Sequence, residues 1–163
     1  MQMTHLSTEA LSSFGILMGF VVVFFVLIVY HGLCLWGATA IYRHHANKLI
    51  ASQDYLRMEI FFFMGVSALA LIHLSEIGAL SYFGYQLGLA ADMDQAIVVV
   101  GGIYTTIGAE RAVAALPGGY RLLAVVLSMS SLFCFAWSTA VMMDMMRSYQ
   151  QAKRAQVKAS IQA

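Results

Sequence analysis

Charge is what this sequence has least of: Lys and Arg number 9 and Asp and Glu 8, only 10 % of 163 residues, against 61 % hydrophobic. Soluble domains carry about 25 % charged residues, so the balance excludes a freely dissolved globule and indicates a membrane protein. The formal net charge of +1 gives no sign of a nucleic-acid partner. Proline is nearly absent, with Pro117 alone, so almost nothing covalent interrupts a helix. Cysteine is scarce too, and Cys34 and Cys134 both fall in apolar runs. They can pair or ligate a metal, but the expected role of each is a small, buried, apolar side chain. Met1 to Leu11 holds no Lys or Arg, and the apolar run behind it far exceeds a signal core, so no cleaved signal peptide is expected. No catalytic constellation emerges, and the chain reads as a non-enzyme.

What is present is long uncharged stretches. From Leu11 to Tyr42 the only ionisable side chain of the acid–base kind is His31, and the run is long enough to tilt or to project beyond the lipid. Gly15 and Gly19 form a small-xxx-small pair near its start, suited to seating a neighbouring helix. Ile60 to Tyr85 makes a second span and carries His73 and Glu76 one turn apart on one face. Leu122 to Met143 makes the last, closed by Asp144. Between these two lies the short apolar run Ala96–Gly108. At about 1.5 Å per residue it reaches roughly 20 Å, against roughly 30 Å of hydrocarbon. It is too short to cross.

The placement of the few charges leads to the same conclusion. Arg43, Lys48 and Arg57 lie in the 43–57 segment, and Arg147, Lys153, Arg154 and Lys158 in the tail 147–163. The positive-inside rule puts both on the cytoplasmic side. The intervening chain must then leave and return, which the spans at 60–85 and 122–143 do without help from 92–108. The expected order is an outer N-terminus, a helix, a basic loop, a helix, a re-entrant pore helix and loop, a helix, and a cytoplasmic C-terminus. Residues 1–57 are the extra helix and loop, 58–146 a pore-type module, and 147–163 a basic tail. His44 and His45 in the basic loop read as solvated. Tyr82, Phe83 and Tyr85 suit an outer aromatic belt, Trp36 and Tyr42 an inner one.

A helix that stops inside a bilayer leaves carbonyls unpaired, tolerable only in protein or beside water. Its negative dipole end favours a cation there, and loop carbonyls around an axis can replace an ion's hydration shell. Hydroxyls and a flexible glycine are wanted next, and Thr105, Thr106 and Gly108 supply them. Ile103-Tyr104-Thr105-Thr106-Ile107-Gly108 resembles the start of a potassium-channel filter, in which aromatic-Thr-Thr-Val/Leu-Gly-Tyr-Gly-Asp is usual. Gly119-Tyr120-Arg121-Leu122-Leu123 resembles the stretch leading into the inner helix of small bacterial two-helix-pore ion-channel proteins, and Ala136-Trp137-Ser138-Thr139-Ala140 a run late in that helix. The likeness runs from about Glu76 to Met143. It implies a homotetramer in a bacterial inner membrane, with Thr105, Thr106, Ile107, Gly108, Ala109 and Glu110 at the pore and Glu76 and Trp137 as supports behind it. It also implies no cofactor beyond a bound monovalent cation.

The chain departs from that pattern at Gly108-Ala109-Glu110-Arg111. Glu110 replaces the second filter glycine, and positive φ there costs a non-glycine residue on the order of 1 kcal/mol per chain. Cation conduction with altered, not strictly potassium, selectivity is therefore the expected function. Glu110 either rings the mouth as a carboxylate or pairs with Arg111 or a neighbour. A non-conducting accessory or scaffold subunit of a larger membrane complex is the alternative. A weaker one is an intramembrane metal, haem or quinone site at His31, His73 and Glu76, since ionisable groups within spans are functional candidates.

Overall fold

The structure is a computed structural model that describes the backbone of residues 2–116 and 120–162 and, among these, the side chains at 15, 18, 19, 21–116, 120–157 and 161. Its elements are α1 (Gln2–Ala51), α2 (Tyr55–Gln86), α3 (Met93–Thr105), α4 (Ala109–Ala115) and α5 (Arg121–Gln162). Among the described residues there is no strand. Three stretches among them are long and apolar enough to cross a membrane: Val21–Ala51, Tyr55–Gln86 and Arg121–Val157. In the most apolar part of each, only 17 %, 22 % and 33 % is buried within the chain. So much uncovered apolar surface is compatible with an integral membrane protein, its helices facing lipid or other subunits. The expected return through Pro117 and the Gly119 of the inner-helix motif lie outside the described residues.

The basic segment at 43–57 is mostly helix, not loop. No Gly or Pro lies between Ala38 and Asp54, and Arg and Lys are good helix formers, so α1 continues through them to Ala51. The charges mark where apolar surroundings end, not where the helix ends. The turn is closed by Ser52 N–H donating to Lys48 O (3.0 Å) and Asp54 N–H to Leu49 O (3.1 Å). Gln53 takes a left-handed φ of 56°, the conformation that commonly ends a helix. Asp54 then starts α2, its carboxylate accepting from Arg57 N–H at 3.2 Å.

The chain forms two compact units. One comprises residues 31–78 and 133–163, with a core of Leu35, Tyr42, Ala46, Met58, Phe62, Leu69, Met145 and Ala152. Phe62 stacks on Tyr149 with ring centres 4.9 Å apart. Tyr42, expected in the lipid-facing belt, is instead buried and donates its hydroxyl to Met145 O at 3.2 Å. A partner carbonyl is what lets a tyrosine sit inside. Arg43 and Asp144 pair at 2.8 Å in the same unit.

The other unit comprises residues 1–30 and 79–132. Here α3 buries Ala96, Val99, Ile103 and Tyr104, at the 3–4-residue spacing that makes one helical face. Its start is fixed reciprocally: the Asp92 carboxylate accepts from Gln95 N–H (2.7 Å), and the Gln95 side chain accepts from Ala91 N–H (2.9 Å).

Candidate functional site

The filter-like residues occupy the turn between α3 and α4. Thr106 caps α3 in a left-handed conformation, φ 61°, with its N–H donating to Ile103 O. Gly108, φ 71°, precedes α4, and Ala112 N–H returns to Gly108 O at 3.1 Å. Thr105 Oγ1 donates to Gly101 O at 2.7 Å, and Ser128 Oγ of α5 donates to Ile103 O at 3.2 Å. Two hydroxyls thus add donors to carbonyls near the C-terminal end of α3. The hairpin is tight because Gly102 has no side chain: a Cβ there would lie 3.1 Å from Ile107 O and 3.4 Å from Ala112 Cβ. Thr105 is half-buried, and Thr106, Gly108 and Glu110 are exposed. Ile107 at the tip is 77 % exposed, and Ala109 and Glu110 open a helix rather than continuing an extended strand.

The second candidate lies in the other unit. His31 and Glu76, both fully buried, meet through Nδ1 and Oε1 at 2.7 Å. A hydrogen must lie between two such atoms, whichever carries it. His73 Nδ1 lies 3.4 Å from the other carboxylate oxygen. On the far side of the imidazole, His31 Nε2 meets Ser138 Oγ at 3.2 Å. Phe135 stacks on His73 with centres 4.3 Å apart. Trp137 stands beside His31, ring centres 5.9 Å apart, and Gly32 makes room for it: a Cβ at that position would meet Trp137 Cη2 at 2.7 Å. Cys134, also fully buried, joins the group, since donor atoms of His31, Glu76 and Cys134 all lie within 4.8 Å of one another.

No family model, curated protein or solved structure matches the chain. The likeness of residues 103–108 to a filter therefore stands on those residues themselves.

Of the residues singled out in the sequence, 105–110 are brought together in one turn, and His31, His73 and Glu76 meet in one cluster. Trp137 joins the histidine cluster within its unit. His44 and His45 are exposed with their rings stacked edge to face, and His45 Nδ1 meets Ile41 O at 3.0 Å. Sequence reasoning did not place Cys134 and Ser138 with His31. Their spacing of four residues on one helix puts them on one face, a signal that could have linked them to each other. Nothing in the sequence linked that face to α1 and α2.

Proposed function

We propose that the chain is a pore-loop membrane protein, four copies of which surround an axis and conduct cations without strict potassium selectivity. One observation carries this reading: α3 is a helix of 13 residues, about 20 Å long against roughly 30 Å of hydrocarbon, between two helices of spanning length, and it ends in exposed threonine and glycine backbone. A half-helix with its C-terminus at the membrane interior favours a cation there, and exposed carbonyls shared among subunits can replace ion hydration. An exposed Ile107 at the tip is costly in water and at ease against symmetry mates or lipid. With Ala109–Ala115 helical, a filter can use only the turn up to Gly108, a short carbonyl ladder consistent with relaxed selectivity. Glu110, exposed at the start of α4, would ring the mouth of such an assembly. The basic residues of 43–57 and 147–163 fall in one compact unit, consistent with a shared cytoplasmic side and an outer N-terminus, in what the filter-like motif suggests is a bacterial inner membrane.

A second reading draws on the same turn. Helix α4 follows Gly108 at once, which favours a pore-loop fold that serves as a non-conducting subunit of a larger membrane complex. Flux from liposomes containing the purified protein separates the two. Potassium, sodium or calcium should pass, and Glu110→Gln should shift the preference among them. Silence to all three at every voltage refutes conduction and leaves the accessory role.

A further inference from the structure

We propose that His31, Glu76 and Cys134 form a binding site for a divalent metal ion of the zinc class, with His73 as the adjacent fourth donor. The three residues come from α1, α2 and α5 and lie within one compact unit. All are fully buried, and their donor atoms lie within 4.8 Å of one another. Zinc bound at about 2.0–2.3 Å from nitrogen, oxygen and sulfur holds its ligands roughly 3.3–3.8 Å apart. Binding would open the 2.7 Å contact between His31 and Glu76 to that spacing and draw in any donor farther away, through rotations about the side-chain bonds of Glu76 and Cys134. His73 Nδ1 stands at ligand-to-ligand distance from Glu76 Oε2, 3.4 Å away.

Charge selects the ion. An imidazole that ligates a metal does so in its neutral form, so Glu76 and Cys134 are the ligands that can supply negative charge. On binding, the thiol of Cys134 gives up its proton, and thiolate plus carboxylate then neutralise a divalent ion. A thiolate beside imidazoles excludes calcium and magnesium, which take oxygen ligands, and suits zinc or cobalt. The outer contacts fit as well. A metal-bound histidine typically has its other nitrogen held by a hydrogen bond. With Nδ1 toward Glu76 and the ion, His31 Nε2–H would donate to Ser138 Oγ, 3.2 Å away. The site does not depend on the pore: a protein that passes no ions can still hold zinc here.

The full chain, purified in detergent and stripped with a chelator, is titrated with Co²⁺. The expected result is one cobalt per chain with a thiolate-to-cobalt charge-transfer band in the near ultraviolet, displaced by Zn²⁺. Cys134→Ser should abolish the band. His31→Gln should weaken zinc retention, measured by elemental analysis after gel filtration. Ser138→Ala should lower affinity about 10-fold or more while keeping the band. The paired change His44→Asn with His45→Asn, at the exposed surface, should alter nothing. Absence of the band from the unaltered protein overturns the proposal, independently of whether any variant folds. So does zinc retention that Cys134→Ser leaves unchanged, or that only the His44/His45 change removes.

Discussion

Replacing His31 and Glu76 singly and together by leucine gives a direct measure of what the buried cluster contributes. Both side chains are 0 % exposed, and their atoms meet at 2.7 Å. Two magnitudes compete. Neutral hydrogen bonds between membrane helices average about 0.6 kcal/mol and reach about 1.7, whereas breaking a buried charged pair by removing one partner costs about 3–5 kcal/mol. Each single change strands a fully buried ionisable partner, with a second imidazole 3.4 Å from Glu76, so the larger figure governs and each should cost about 3 kcal/mol. The double replacement leaves neither group stranded and fills the space with apolar side chains, which is often close to neutral. The pair should therefore cost far less than the sum of its parts, with a coupling of at least about 1.5 kcal/mol. Unfolding in mixed micelles, with chelator present so that no ion contributes, reads all four free energies. Additivity within about 0.5 kcal/mol would refute the reasoning, because independent sites behave that way.

Further perturbations test the local geometry. Gly32→Ala places a Cβ 2.7 Å from the rigid Trp137 ring; alanine's helix preference returns at most about 1 kcal/mol, and overpacking of about 1–3 kcal/mol wins. Trp137 emission in a Trp36→Phe background should shift, and an unchanged spectrum and stability would contradict the contact. Asp92→Ala removes the cap of α3 and should cost about 1 kcal/mol, read as faster hydrogen exchange at amides 93–96; unchanged exchange would show that the cap is idle. Asp144→Asn should cost less than about 1 kcal/mol, since its partnership with Arg43 is between side chains 44 % and 63 % exposed. A larger loss would mean that the pair is shielded in the assembled protein.

Much of the fold was legible because long uncharged runs leave so few options. Apolar length alone identified the helices of α1, α2 and α5 and marked 96–108 as too short, although the helix proper is Met93–Thr105. Boundaries were harder to read where charge and helix propensity disagree: Arg43 and Lys48 announce the end of an apolar run, yet they sit comfortably in the helix that continues to Ala51. The inward turn of Tyr42 was invisible too, because a tyrosine at a run's edge reads the same whether its hydroxyl finds headgroups or the Met145 carbonyl. In the cluster, His73 and Glu76 announced themselves by spacing. Their meeting with His31 and Cys134 depends on which faces of three helices come together, and uniformly apolar helices carry almost no facial signal. The filter-like hexad was legible as a motif; the helix that follows Gly108 was not, since Ala109-Glu110-Arg111 suits a helix start as readily as a loop.

The most direct test of the pore-loop account is a single-particle structure of the purified protein in lipid nanodiscs, which shows copy number and turn position together. The account predicts a fourfold particle with the four Thr105–Gly108 turns converging on the axis and Glu110 at the mouth. A monomer or dimer, or a larger assembly with those turns facing lipid, would contradict it.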